Sequence, residues 1–356
     1  MILSKEENML ISDRRTYAPV SIVRTLPQKE QVLEDVKKAM RLSNWRDFIS
    51  HGADIALKPN LGWDKLIPGA ISAPWVVEAV ILTIRDYVGK IFLVESNQVV
   101  VDVEKALKLS GLDEVCRRLD VTWVNMSKGN YVKIKTSDGL VLQEINIPEI
   151  LTNTELITLP LLKTHNKTVI SGAIKNQWGC LQELRHNYHP ILPQALVDIN
   201  RVLQPRFAVM DGTVGLEGDG PKSGIPKEMN LILASGNLVG LDAVGARLMG
   251  FDPINLGFLK LCSENGLGPM NGSLTIKGES VEDIRHNFLP AKHNPVSWLE
   301  LVLRKPLIEW LVFKTPFLKI PAWGARRYYD FWYYFVGKKL REDFFQKSGY
   351  AAQWKH

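Results

Sequence analysis

The feature that most restricts how this chain can fold is a regular alternation of short apolar runs with longer segments of helical periodicity. Residues 20–24 (VSIVR) read as a strand, and residues 28–41 follow with Val32, Val36, Ala39 and Met40 at helical spacing. Residues 54–59 (DIALKP) form a second apolar run, Pro74 opens an almost wholly apolar helix over 75–88, and residues 90–95 (KIFLVE) return to strand. Asp102 caps a helix that Gly111 ends, residues 112–119 form another, and residues 121–125 are again a strand. Further strands are expected at 155–160, 206–211 and 229–234, with helices at 192–203 and 238–249. Parallel strands joined by right-handed helical crossovers satisfy this rhythm, so the expected class is α/β with a mostly parallel, doubly wound sheet. One β-hairpin insertion is expected, because YVKIK and LVLQEINI flank Thr136-Ser137-Asp138-Gly139 with its Asp-Gly turn signal.

Charge divides the chain. Residues 296–356 hold 11 Lys and Arg against 5 Asp and Glu, which accounts for the whole net charge of +6, so residues 1–295 are balanced. Composition shifts at the same place, since five of the ten tryptophans and five of the nine tyrosines lie beyond Pro295. The expected organisation is an N-terminal tail (1–19), an α/β domain (20–295) and a basic, aromatic-rich helical C-terminal extension (296–356). A neutral body argues against a general nucleic-acid surface. With 46% hydrophobic residues the chain can fill a substantial core. No uncharged apolar run approaches the roughly 18 residues of a spanning helix, and the opening residues lack a signal pattern, so a cytoplasmic protein is expected. Cys116, Cys180 and Cys262 are too far apart for a C-x-x-C pair and read as reduced, buried thiols.

In open α/β sheets ligands gather at the carboxyl ends of strands. There this chain places Lys58-Pro59-Asn60, then Lys163-Thr164-His165, then Lys175-Asn176, and finally Asp211-Gly212. Lys58, Lys163 and Lys175 are candidates to bind a carboxylate or phosphate, with Asn60 and Asn176 orienting it. His165 is the candidate proton carrier, with Asp211 or Glu217 as its partner. The opposing reading makes Lys163 and Lys175 ordinary solvated loop lysines. Residues 211–226 (DGTVGLEGDGPKSGIP) hold five glycines and are expected to form a loop, with Gly220 among the ligand contacts, that closes over a substrate or merely connects two elements. Neither nucleotide fingerprint is present in it. Asp242 can orient the basic residues or stabilise its own helix start. His186 and His189 lack a third partner in the sequence, so no metal site is assigned.

The combination LKPN (57–60), the Pro74 helix, LLKTHNKTVISGAIKNQWG (161–179), DGTVGLEGDGP (211–221) and LVGLDAV (238–244) resembles the domain-of-unknown-function 362 family over about residues 56–253. Many of its relatives look redox-linked through an appended cluster module with repeated C-x-x-C spacing. This sequence has no such module, so an iron–sulfur role does not carry over to it and its cofactor stays unassigned.

Two readings of function remain open at this level. One is an enzyme acting on an anionic small molecule, its reaction class divided between proton transfer and reduction by an external electron donor. The other is a non-enzymatic peripheral membrane protein that binds an anionic metabolite or lipid headgroup. A weaker third is an electron-transfer partner involving Cys180. The extension carries the membrane reading, because Trp and Tyr favour the headgroup zone and Lys and Arg favour an anionic leaflet. Packing of the same residues on the sheet, or on a second copy in a homo-oligomer, is the alternative.

Overall fold

Each of the apolar runs pairs into one large sheet. The structure is a computed structural model that describes residues 14–354 apart from 137, 182, 273, 293–294, 305–311 and 314. The N-terminal tail before residue 14 and Pro306 therefore lie outside the described residues. Strands β1 (Val20–Arg24), β2 (Ile55–Lys58), β3 (Ile91–Glu95), β4 (Thr122–Asn125) and β7 (Glu155–Thr158) fall where sequence places them. A separate two-stranded ribbon is made by β5 (Tyr131–Lys135) and β6 (Glu144–Pro148). Downstream lie β8 (Leu161–His165), β9 (Val169–Ile170), β10 (Phe207–Glu217), β11 (Ile225–Ser235) and β12 (Ile276–Gly278).

The sheet order is β12-β1-β11-β10-β7-β2-β3-β4, with β8 branching from β10 and β9 pairing with β8. Pairing is parallel from β10 through β7, β2 and β3 to β4. The long strand β11 runs antiparallel to both β10 and β1. Helices α1 (Lys29–Leu42), α2 (Pro74–Ile84), α3 (Val103–Ser110), α4 (Leu112–Leu119), α5 (Gly172–Asn176), α6 (Leu192–Leu203), α7 (Leu238–Leu248) and α8 (Gly257–Glu264) supply the crossovers and cover both faces. Period-two alternation divides the core accordingly. Ile55, Leu57, Phe207 and Val209 join the cluster under α1 and α2, whereas Ala56, Ala208 and Met210 join the one under α6 and α7.

Three local expectations need correction. The hairpin forms, but Lys135 pairs with Glu144, so its connection spans 136–143 instead of the expected 136–139, and 140–143 are not strand. The carboxylate of Asp198 on α6 accepts the N–H groups of Leu140, Val141 and Leu142 at 2.7–2.9 Å, which satisfies that connection without a ladder. Most of the glycine-rich stretch is strand, because β10 runs to Glu217 with a bulge between Gly212 and Val214, and β11 begins at Ile225. The actual turn is 218–224. Finally, Lys163-Thr164-His165 is not a loop after β7. Pro160 breaks the run, and the chain re-enters the sheet as β8 beside the far half of β10.

The C-terminal extension contains α9 (Pro295–Leu303), α10 (Lys319–Trp332) and α11 (Lys338–Lys347), the last two joined by a π-helical turn at Tyr333–Gly337. It packs against the α/β body on one face. Trp63, itself fully buried, meets the rings of Tyr329, Trp332 and Tyr333 at 5.7–6.3 Å between centroids. Arg326 pairs with Asp64 at 2.7 Å and Lys65 with Asp330 at 2.5 Å. Beyond α11, Tyr350 and Trp354 are buried in the core beneath α1 and α2. No described helix is long and apolar enough to cross a membrane.

Candidate functional site

The strand-end residues assemble, but into two layers of different character. The inner layer is a buried polar network. Lys58 ends β2 and Glu95 ends the neighbouring β3, and the two form an ion pair at 2.8 Å with side chains only 1% and 3% exposed. Glu95 also accepts from the N–H groups of Ser96 (3.0 Å) and Leu61 (3.3 Å). Lys58 is thus neutralised from within the sheet, a role different from the anion contact expected of it. Glu95 was legible by the same strand-end rule, since KIFLVE ends on it.

Asn60 and Asn176 bridge this pair to the next strands. Asn60 donates to the Asn176 side-chain oxygen at 2.9 Å and accepts from Lys163 Nζ at 2.8 Å. Asn176 donates in turn to Thr158 Oγ1 at 2.8 Å, locking the ends of β2 and β7. Lys163 Nζ has a second acceptor, the Ala70 carbonyl at 2.9 Å. Two acceptors match the two N–H bonds of a neutral amine. Burial, with the nearby charges of Lys175, Lys222 and Lys58, pushes Lys163 down to about 7. Lys163, at 2% exposure, is an interior residue of a strand, which removes the solvated-loop reading for it, whereas Lys175 is half-buried on a helix; His165, at 8%, is interior as well.

The outer layer faces a cavity of about 450 Å³, within the range of roughly 300–1,000 Å³ common for small-molecule sites. His165 and Lys175 share its wall, with His165 Nε2 and Lys175 Nζ 2.8 Å apart. His165 Nδ1 accepts the Lys167 backbone N–H at 2.9 Å, so in the neutral ring the proton is assigned to Nε2. Burial and then the charges of Lys175, Lys163, His189 and Lys167 hold this imidazole well below its ordinary range. The β8–β9 hairpin that presents it carries Val169 at φ 66°, a left-handed conformation unusual for a β-branched residue.

Helix α5 is short and would be poorly held by itself. Asp242 of α7 accepts its first N–H groups, from Ala173 at 2.5 Å and Ile174 at 2.9 Å, and so fixes Lys175 and Asn176 from outside. Burial pushes the Asp242 carboxyl up to about 7. Gly172, at φ 67°, is needed where that carboxylate approaches, since a Cβ would lie 2.5 Å from its oxygen.

The remaining wall comes from elements that sequence gave no reason to join. Lys167, Trp178 and His189 line it, with His189 stacked on Trp178 at 5.8 Å. Glu300 of α9 binds His189 Nδ1 at 2.6 Å and Lys167 Nζ at 3.0 Å. Burial acts against that carboxylate, yet His189 and Lys167 hold it well below the usual range. His189 and Glu300 are 111 residues apart, which no spacing rule would connect. The side chain of His186 lies outside the described residues, and no group of three or more His, Cys, Asp or Glu able to hold a metal occurs among the described ones.

Asp211 and Glu217 are not brought to His165. Asp211 Oδ1 accepts from Thr213 N at 2.9 Å and Thr213 Oγ1 at 2.7 Å, and burial pushes the group up to about 6. Glu217 holds Lys227 at 2.8 Å and the Leu289 N–H at 3.1 Å. Gly220 packs the turn against β8, where an added Cβ would fall 2.1 Å from the Thr164 carbonyl. From the same turn Pro221 and Lys222 reach the cavity wall, and Lys222 lies 5.3 Å from the Tyr329 ring centroid. All three cysteines are buried, and burial pushes the Cys116 thiol up to about 12.

This chain is 27% identical over 245 residues to the thylakoid-associated protein sll1697 of Synechocystis sp., an alignment covering 66% of this chain and 74% of that protein. No solved structure matches it. Residues 55–247, which span β2 to α7 and contain the whole inner network, match the model of the domain of unknown function (DUF362), and the chain belongs to that family.

Proposed function

We propose that the protein is an enzyme that binds an anionic small molecule in the cavity and moves a proton at His165 Nε2. The observation that carries this is the His165–Lys175 couple at 2.8 Å, set in the cavity wall and backed by the buried Lys163. An entering carboxylate or phosphate offsets the crowded positive charge, which favours the protonated imidazole that burial and its basic neighbours otherwise disfavour; the added proton goes to Nδ1, displacing the Lys167 N–H, and leaves Nε2–H as the acid that the ring gives up. The ligand thus switches on the acid it reacts with. Lys175 and Lys222 meet the anion, while Asp242 fixes the helix that carries Lys175 and Asn60 holds Lys163 behind it.

Sulfate, whose charge is constant near neutral pH, is a suitable probe. Calorimetric titration should show binding by the intact chain and a loss of about ten-fold or more in Lys175→Met. The ¹⁵N resonances of the His165 ring should move toward the protonated form as sulfate is added, and His165→Asn should still bind. A ring that ignores bound sulfate would sink the proton-transfer reading.

A second reading, peripheral attachment to an anionic membrane, is favoured by a specific surface. Ile320, Trp323, Phe331, Tyr334 and Phe335 recur at helical spacing along α10 and its π turn, and all are exposed, Trp323 by 65%. Arg327, beside Trp323, adds charge to this row. The relative named for thylakoids is consistent with such attachment. Removing the whole extension would also remove the buried Tyr350 and Trp354, so the test is the triple variant Trp323→Ser, Phe331→Ser, Phe335→Ser. The intact chain should sediment with anionic vesicles and the folded triple variant should not. An intact chain left in the supernatant disposes of the reading.

A further inference from the structure

We infer that the ligand of this cavity is a single-chain anionic amphiphile, taken from a bilayer surface with its head at Lys175 and its hydrocarbon chain along α9 and α10. This rests on the anion-binding reading above and adds to it the chemical class of the rest of the ligand.

The cavity wall is of two kinds. The α/β body supplies His165, Lys167, Lys175 and Lys222. The extension supplies Val296, Leu299, Leu303, Phe313, Leu318 and Pro321, together with Glu300, whose carboxylate holds Lys167. A small hydrophilic metabolite has no use for the second set. An apolar tail attached to an anionic head uses both, and each methylene that enters removes its surface from water.

The apolar wall also reaches the outside. Leu299 lines the cavity and is nonetheless 41% exposed, so it marks the rim. The exposed Trp298, Phe317, Ile320 and Trp323 each adjoin a lining residue in sequence: Leu299, Leu318, Pro321 and Ala322. The apolar wall therefore adjoins the row of side chains suited to the headgroup zone of a membrane. Basic side chains concentrate in the same extension, which complements an anionic leaflet. Entry along this path keeps the chain out of water throughout.

Alkyl phosphates test the inference at constant pH and below their micelle concentrations. Inorganic phosphate should bind weakly, and affinity should rise from butyl to octyl phosphate by at least about ten-fold; full burial of a methylene corresponds to roughly four-fold, or about 0.8 kcal/mol. The uncharged Leu303→Ser should flatten that gain, costing octyl phosphate several-fold more affinity than inorganic phosphate, and Val296→Ser is a milder variant should the first not fold; an equal loss for both phosphates overturns the inference. Delivery from a membrane has its own measurement. The triple variant of the outer row should bind octyl phosphate in solution as the intact chain does, yet fail to withdraw dodecyl phosphate from vesicles. Phosphate binding with no dependence on chain length overturns this inference and leaves the anion site standing. Failure of every phosphate to bind overturns both.

Discussion

At the scale of single residues, the site depends on a buried amine that sits near its own titration point. Lys163, at about 7, lies below the ordinary lysine value of 10.5. The sign of the effect follows from that order. As pH falls from the lysine range toward 7, the unfolded chain takes up the proton first, so the folded state loses stability; below about 7 both forms carry it and the dependence flattens. Anion binding runs the other way, since a bound anion favours the ammonium. Sulfate should therefore bind more tightly below about pH 7 and weaken above it, by up to roughly ten-fold per pH unit. Lys163→Met should bind sulfate more weakly and lose that slope, a comparison made by calorimetry across pH 6 to 9.

Strand-end position pointed to Lys58 and Asn60 for the right reason; Lys163 and His165 lie within β8 and Lys175 and Asn176 on α5, yet the six converge. Their roles were not legible. Lys58 reads as an anion ligand until Glu95 on the adjacent parallel strand is seen to occupy it, and strand order is not written in any local pattern. Asp211 looked like the partner of His165 because it follows an apolar run. The run continues past it as β10, and its carboxylate turns to Thr213.

At the scale of elements, the weakest part that matters is α5, five residues that carry Lys175 and Asn176. Its first two backbone donors depend on Asp242, a residue of another helix. Asp242→Ala should leave those buried N–H groups without an acceptor and lower stability by about 2–4 kcal/mol, read from urea unfolding. The same variant should weaken sulfate binding, because Lys175 loses its fixed position. Helices and central strands were legible in the sequence because periodicity repeats over several turns. The β8 strand was not, being five residues long and separated from β7 only by Leu159 and Pro160. The glycine-rich stretch misled for a related reason: Gly212 and Gly215 look like loop residues, but their neighbours press too closely on them for any side chain. A Cβ at Gly212 would lie 2.7 Å from Leu162 Cδ1, and one at Gly215 would lie 2.9 Å from the Leu162 carbonyl.

At the scale of the whole molecule, the extension is part of the cavity and not an appendage to it. Its inner face is held by Trp63, Asp64 and Lys65, its end is anchored by Tyr350 and Trp354, and ahead of these points in the chain it supplies the apolar wall. Charge counting identified the segment without showing that one helix has an inner face packed on the body and an outer apolar face left exposed, since the inner contacts join residues more than 250 positions apart. The two proposals meet in this helix, with a thermodynamic consequence. If it rests on a bilayer and also bounds the ligand's chain, as proposed, the two binding events share one coupling free energy, and linkage makes it reciprocal. Whatever factor a vesicle surface adds to the affinity for the ligand, the ligand must add to the affinity for the vesicle. The occupant of the cavity can therefore be sought by asking which compound changes the partition of the protein between water and membrane.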